Sequence, residues 1–253
     1  MREFFTTTSN PVGHGFTQAN LDQDFACYSF VPKTNLPLKV IALDDTAKGA
    51  GQANYASGYL NTGTGLNASR LQWLKDELQA GQDANQLMIV AAHVPVNPQT
   101  DIGNTTADPM FLGPTDAELL TVLHNYPNLI LWIAGHRHVN VVTPQPSPEP
   151  THPEYGFWEV ETASLRDFPQ QFRTFDIRRN TDNTISILVT NVDPAVGAGS
   201  PAANSRGYAI GAARIYGTYL LTDTTSHAYN AELVKILTPT MQAVIASAGS
   251  PIG

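Results

Sequence analysis

The sequence has one cysteine, Cys27, and few positive charges. A single cysteine excludes an intrachain disulfide and any cysteine-based zinc site. Lysine and arginine number 14 against 22 acidic residues, which gives a formal net charge of −8. This balance argues against a nucleic-acid backbone as a major partner. It leaves a small phosphate ester open, because metal ions can supply positive charge locally.

Long apolar runs are missing as well. No stretch approaches the length of a membrane span. The first residues lack the charged start, apolar run and small-residue cleavage site of a signal peptide. Hydrophobic residues still make up 42% of the 253 residues, which is enough to bury a core. The length suits one large domain, or one domain with an appendage.

Three short apolar segments alternate with two amphipathic segments. The apolar segments, residues 38–45, 86–93 and 128–138, are typical of buried strands. The segments between them place leucine and valine at helical spacing: Leu71, Leu74 and Leu78, then Leu119, Val122 and Leu123. This alternation predicts parallel βαβ units. Ligands of such sheets bind beyond the carboxyl ends of the strands.

The pattern changes after residue 150. Residues 155–164, 170–179 and 183–192 alternate between apolar and polar positions and predict antiparallel strands, with a hairpin turn at 180–183. From about Pro194 the chain is predicted to be helical, with a helix start at Ser200-Pro201. The apolar face of that helix holds Tyr208, Ala212, Ile215, Tyr216 and Tyr219. A last helical segment is expected around Leu233, Ile236 and Met241. We therefore divide the chain into residues 1–193 and a helical C-terminal extension, residues 194–253.

Three histidines follow predicted strands directly. His93 ends the second strand, and His136 and His138 follow the third strand after Gly135, which is expected to let the backbone turn there. Each alone is an ordinary loop histidine, but together they lie at one edge of a parallel sheet and predict a metal site, since imidazole binds zinc, iron and manganese. Asp44 and Asp45 end the first strand and are best explained as polar residues that close it. His14, between two glycines, is a candidate substrate-binding residue.

The segments AAHVPV and AGHRHVN, with the strands that precede them, resemble the calcineurin-like metallophosphoesterases. The resemblance covers about residues 10–195. Further segments such as SLRDFPQQFR indicate a bacterial branch of this family. It implies an α/β fold: a partial metallophosphoesterase-type β-sandwich flanked by helices, with parallel βαβ units before the antiparallel strands and the helical C-terminal extension. It implies that His93 and His136 are catalytic and bind one metal ion, and that His138 binds a second. The ions would be manganese, zinc or iron, and the substrate a small phosphoester.

The upstream motifs of that family have no counterpart here. The sequence contains no Asp-x-His, no Gly-Asp and no Asn-His. The chain is therefore expected to represent the C-terminal part of such an enzyme, with a missing N-terminal half as a possible partner. Three hypotheses for the function remain open: a metal-dependent phosphoester hydrolase, a non-catalytic binding module, and a mononuclear zinc hydrolase that uses the three histidines.

Overall fold

The structure is a computed structural model that describes residues 15–22, 26–47, 56–57, 70–96, 116–215 and 230–248. The strands are β1 (Tyr28–Phe30), β2 (Leu38–Ala42), β3 (Thr46–Ala47), β4 (Ala56–Ser57), β5 (Leu87–Ala91), β6 (Leu129–Ala134), β7 (Val141–Gln145), β8 (Phe157–Glu161), β9 (Phe172–Arg179), β10 (Ile185–Val192) and β11 (Ala231–Lys235). The helices are α1 (Gln18–Asp22), α2 (Arg70–Asp83), α3 (Asp116–Leu123), α4 (Pro201–Ile215) and α5 (Pro239–Ile245), with a 3-10 turn at Pro153–Tyr155.

The larger sheet has six strands in the order β1-β2-β5-β6-β8-β7. Strands β2, β5, β6 and β8 run parallel to one another. The predicted βαβ organisation is therefore confirmed, and the carboxyl ends of these four strands share one edge of the sheet. β1 and β7 close the sheet with antiparallel pairings.

Helices α2 and α3 pack on one face of this sheet. Leu74 and Leu78 of α2 and Leu119 and Leu123 of α3 are fully buried and share a core with Trp132 of β6. These are the leucines that the helical spacing predicts to face inward. The sequence also predicts that Ser69 caps the start of α2 and Thr115 the start of α3, but both residues lie outside the described residues.

A second sheet, in the order β11-β10-β9, packs on the opposite face. β9 and β10 form the predicted antiparallel hairpin, with Ile185 opposite Arg179 and Asn183 in the left-handed region at φ 61°. Ile187 and Leu233 from this sheet share a second core with Leu131 of β6. The architecture is thus a β-sandwich with helices outside the larger sheet, which confirms a mixed α/β fold.

Strand β8 differs from the prediction because it is parallel to β6 rather than part of an antiparallel set. Val160 lies opposite Ile133 of β6, and on its other side β8 pairs antiparallel with β7, a strand that the sequence pattern did not reveal. The alternation of apolar and polar residues in β8 predicts a strand with one solvent-exposed face. Its two glutamates, Glu159 and Glu161, are instead 1% and 2% exposed.

The C-terminal extension also departs from a purely helical prediction. Residues 231–235 form β11, which pairs antiparallel with β10, so Leu233 lies opposite Ile187. This long-range pairing outweighs the helix-forming composition of the segment, a common outcome for short elements. α4 does begin at Pro201, but it buries Ala209 and Ala213 and leaves Tyr208 exposed.

The exposed face of α4 also carries Ile215, while Tyr216 and Tyr219 lie outside the described residues. The division of the chain at residue 193 stays a prediction. None of the helices in the described ranges has the length and hydropathy needed to cross a membrane.

Candidate metal centre

Two of the predicted histidines meet at the edge where the parallel strands end. His93 follows β5 and His136 follows the neighbouring strand β6, each by two residues. Nδ1 of His136 lies 3.1 Å from Nε2 of His93, and the ring centroids are 5.0 Å apart. The parallel arrangement of the strands is what brings these side chains together, since they are 43 positions apart in the sequence.

The backbone after β6 turns sharply at His136. The Gly135 N–H donates to the carbonyl of His93 at 3.0 Å, and the Arg137 N–H donates to the carbonyl of Gly135 at 2.8 Å. This second bond closes a three-residue turn around His136, whose φ is 65°. A positive φ is uncommon for a residue with a Cβ atom, and such strain clusters at functional sites.

The sequence suggested that Gly135 provides this turn, and the structure corrects that interpretation. The left-handed conformations fall on His136 and on His138, at φ 65° and 59°, and not on the glycine. A Cβ atom at position 135 would lie 3.9 Å from the carbonyl oxygen of His93, an ordinary contact. The conformational strain is therefore carried by the two histidines themselves.

Asp45 anchors the loop that carries His93. It is fully buried, and its two carboxylate oxygens accept the backbone N–H groups of His93 at 2.9 Å and Val94 at 2.8 Å. Burial raises the pKa of Asp45 to about 6, and the bonds from Val94 and His93 oppose that rise. Its neighbour Asp44 forms an ion pair with Arg70 at 3.1 Å. Both aspartates thus have structural partners.

Glu159 of β8 anchors the same loop from the other side. Its carboxylate accepts the Val96 N–H at 2.6 Å and the side-chain amide of Gln145 at 2.6 Å. Burial raises the pKa of Glu159 to about 6. The indole N–H of Trp132 also donates to the carbonyl of Val94 at 3.2 Å. Residues 93–96 are therefore fixed by β2, β6 and β8 together.

The segment between the two later histidines is fixed by an ion pair. Nε of Arg137 donates to Glu161 Oε2 at 2.7 Å, and a second guanidinium nitrogen bonds the other oxygen. The side chain of Glu161 is 2% exposed, whereas that of Arg137 is 43% exposed. This bidentate pair ties the turn at His136 to the end of β8.

His138 has a different partner from the other two histidines. Its Nδ1 lies 2.5 Å from Oδ2 of Asp167, in the segment between β8 and β9. Burial alone would raise the pKa of Asp167, but hydrogen bonds from Arg166 and His138 hold it below its usual value. The structure thus separates a His93–His136 pair from a His138–Asp167 pair.

Electrostatics favour neutral imidazoles in the first pair. Burial lowers the pKa of His93, and the nearby His138 lowers it further. Burial likewise lowers the pKa of His136, with added contributions from His93, His138 and Arg137. Neutral imidazole is the form that binds metal ions. Within the described ranges, no group of three or more His, Cys, Asp or Glu side chains is arranged to hold an ion. His14 lies outside those ranges.

Comparison with known proteins gives partial similarities to metal-dependent phosphatases. The chain is 27% identical over 111 residues to a manganese-dependent ADP-ribose/CDP-alcohol diphosphatase of Xenopus tropicalis, covering 44% of this chain and 28% of that protein. A protein of the same name from Arabidopsis thaliana is 28% identical over 111 residues, covering 42% and 34%. The chain therefore spans about a third of the length of these relatives. These relatives agree with the resemblance to the calcineurin-like metallophosphoesterases.

Among solved structures, a dimetal phosphatase from Danio rerio has a TM-score of 0.46 at 15% identity, over 76% of this chain and 64% of that chain. No family model matches the chain. The similarity to metallophosphoesterases thus rests on the diphosphatase relatives and on the motifs AAHVPV and AGHRHVN.

Sequence reasoning missed four residues that surround the three histidines. They are Asn140, Glu159, Glu161 and Asp167, all of which have polar partners around the histidine segments. The glutamates gave one usable signal. In β8 they share a face with Phe157, so a buried Phe157 places both carboxylates inside the protein, where they need partners. No local signal marks Asp167.

Proposed function

We propose that this chain provides the histidine-bearing part of a metal-dependent phosphoester hydrolase. The observation that carries the proposal is the 3.1 Å separation of His93 Nε2 and His136 Nδ1 at the carboxyl edge of a parallel sheet. Two ligand nitrogens at about 2.1 Å from one ion lie roughly 3.0–3.4 Å apart for angles between octahedral and tetrahedral. The pair therefore fits two ligands of a single ion.

The residues divide into two roles in this proposal. His93 and His136 hold one ion and His138 holds the other, a division supported by the separate partners of the two groups. When bound, divalent ions such as manganese, zinc or iron polarise phosphoryl oxygens and activate water. Asp45, Glu159 and Glu161 keep the histidine segments in place through their backbone and guanidinium contacts.

The three histidines are neutral ligands, so they leave the charge of two neighbouring divalent ions without compensation. We propose that further carboxylates, other than those of the described residues, supply the negative charge that completes the centre. The upstream motifs that the family resemblance implies contain such carboxylates. Phosphodiester turnover by these 253 residues alone is then weak. It rises when a polypeptide carrying the Asp-x-His, Gly-Asp-x-x-Asp and Asn-His motifs is supplied.

For the substrate we propose a small phosphoester, including esters of a diphosphate. The relatives are named for action on ADP-ribose and CDP-alcohols, whose shared chemistry is a pyrophosphate link. His14 remains our candidate for substrate binding. The formal charge of −8 makes metal ions the natural source of positive charge for such a substrate.

The decisive experiment measures metal binding and turnover together. Manganese binding to the purified chain is followed by the loss of the free-ion signal in electron paramagnetic resonance. Hydrolysis of a chromogenic phosphodiester is followed in parallel. We expect His93→Gln and His136→Gln to weaken manganese binding at least about 10-fold. The control is His152→Gln, because His152 stacks on Tyr155 in the 3-10 turn that precedes β8, at the amino end of that strand rather than at the carboxyl edge of the sheet.

The outcomes of this experiment distinguish the three functional hypotheses. Tight binding of one ion without turnover, even after the upstream motifs are supplied, would favour a non-catalytic binding module. Strong turnover with one bound zinc ion, lost in His136→Gln, would favour a mononuclear hydrolase. Equal manganese binding by the wild type, His93→Gln and His136→Gln would overturn the proposed site.

A further inference from the structure

The carboxylate of Asp167 approaches the ring of His138 on one defined nitrogen. Oδ2 lies 2.5 Å from Nδ1, which is within hydrogen-bonding distance and shorter than usual for an imidazole nitrogen and a carboxylate oxygen. Since a carboxylate can only accept, Nδ1 carries the proton in this contact. In a neutral ring the lone pair is then on Nε2.

The segment that presents Asp167 is held at both ends by one residue, Asn140. The side chain of Asn140 is buried, its oxygen accepts the Ala163 N–H at 3.1 Å, and its amide donates to Gln171 at 2.8 Å. Asn140 follows His138 by two positions, so the same short stretch carries the imidazole and fixes the segment that approaches it. The hydrogen bonds of Asn140 thus hold the segment of Asp167 next to the segment of His138.

Helix α4 supports the same segment from outside. The buried side chain of Gln170 donates to the hydroxyl of Ser205 at 2.9 Å. The guanidinium of Arg206 donates to the carbonyl of Pro169 at 3.2 Å and lies 5.6 Å from the ring centre of Phe168. The first helix of the C-terminal extension therefore braces the residues that directly follow Asp167.

We propose that Asp167 is a positioning residue that fixes His138 as the Nδ1–H tautomer and so presents Nε2 as its metal-binding atom. The inference rests on the proposed function, in which His138 is a metal ligand. Ligand histidines commonly donate their other ring N–H to a carboxylate, which sets the ring orientation and raises the basicity of the ligand. Neither composition nor strand pattern assigns this role to Asp167, and α4 gains a function as the brace of its segment.

The first test needs no metal. Nitrogen-15 NMR of the metal-free protein reports the tautomer of each neutral histidine. It is recorded at about pH 8, above the usual histidine pKa of about 6.5. The His138 signals are assigned by their loss in His138→Gln. We expect Nδ1–H in the wild type and a shift in Asp167→Ala toward Nε2–H, the form that a free histidine side chain prefers in water. Asp167→Asn should keep most of the Nδ1–H form, because its carbonyl oxygen still accepts.

The second test measures manganese affinity in the same set of variants. We expect a loss of about 10–100-fold for Asp167→Ala, the range typical of such outer partners, and a smaller loss for Asp167→Asn. The control is Asp76→Ala, whose exposed carboxylate accepts only a bond from Gln72 within α2 among the contacts described for it. Circular dichroism and thermal melting confirm that each variant is folded.

The two tests distinguish two failures. An unchanged His138 tautomer in folded Asp167→Ala overturns the positioning role, whatever the metal does. A changed tautomer in a protein that does not bind manganese overturns the proposed function and leaves the role of Asp167 toward His138 in place. A changed tautomer with wild-type manganese affinity overturns the link between this contact and the metal.

Discussion

Asp45 holds His93 through the backbone, with its Oδ1 atom 2.9 Å from the His93 nitrogen and its Oδ2 atom bonded to the next N–H along. Asp45 follows β2 and His93 follows β5, so the bond links the segments that leave two neighbouring parallel strands. The position of the His93 ring thus depends on a carboxylate that does not touch the ring.

We predict that Asp45→Ala lowers both stability and metal affinity. The change leaves two N–H groups near His93 without their acceptor, which costs about 1–3 kcal/mol for each buried group. The change also removes the desolvation cost of a buried carboxylate, which offsets part of this loss. We therefore expect the free energy of unfolding, measured in urea, to fall by about 2 kcal/mol. Manganese binding should weaken because His93 is no longer held. Asp83→Ala, at the exposed end of α2, serves as the control. Unchanged unfolding and binding in Asp45→Ala would contradict the anchoring role.

We predict strong coupling between Arg137 and Glu161. Arg137→Met leaves a carboxylate that is 2% exposed without its bidentate partner and should cost about 2 kcal/mol, less than a fully buried pair because the arginine is partly exposed. The double variant Arg137→Met/Glu161→Met should be more stable than Arg137→Met alone. Urea unfolding of both single variants and the double variant gives the coupling energy.

The matched control for that cycle is the exposed pair formed by Arg178 and Asp176 on β9, whose side chains are 45% and 51% exposed. Arg178→Met should leave unfolding unchanged, since exposed ion pairs contribute little. Additive effects of the two changes at Arg137 and Glu161 would show that the pair does not hold the turn.

The parts of the fold that sequence predicts well are those with local signals. β5 and β6 are continuous apolar runs because both faces of these central strands are buried, and the leucines of α2 and α3 repeat at helical spacing. Parallel pairing then places His93 and His136 at one edge, so their meeting follows from topology alone.

The remaining features depend on contacts that no local pattern encodes. β11 is a strand because β10 offers it a partner more than 40 residues earlier in the chain. Asp167 reaches His138 because Asn140 and α4 fix the segment around it, and three separate parts of the chain must be placed before that contact exists. Such features follow from the assembled structure rather than from composition or periodicity.

A smaller prediction concerns the start of α5. The hydroxyl of Thr238 accepts the Met241 N–H at 3.2 Å, as an N-cap residue does, and Met241 is buried in the core between the two sheets. Thr238→Ala should destabilise the protein by about 1 kcal/mol in thermal or urea unfolding. Thr238→Ser keeps the hydroxyl and should stay close to the wild type. Equal losses in both variants would assign the effect to the methyl group instead of the cap.

The last prediction concerns Lys235, which is 3% exposed on β11 and donates to the carbonyl of Glu154. Burial lowers its pKa from 10.5 to about 7, and the charge of Glu154 opposes that shift. Between these two values the unfolded chain binds a proton that the folded chain does not. The free energy of unfolding therefore rises with pH across this window, by about 1.4 kcal/mol per pH unit at most. Below about pH 7 Lys235 is charged in both states, and the folded protein bears the full cost of burying that charge.

Replacement of Lys235 by methionine removes this titration and keeps an unbranched apolar side chain. We expect Lys235→Met to be more stable than the wild type at about pH 6, with the difference shrinking as the pH rises toward the usual lysine pKa of about 10.4. Urea unfolding at several pH values measures the difference. Lys33→Met, at an exposed position, should show no such trend. Parallel pH profiles for the wild type and Lys235→Met would mean that Lys235 keeps an ordinary pKa, because a group that titrates alike in both states cannot change stability with pH.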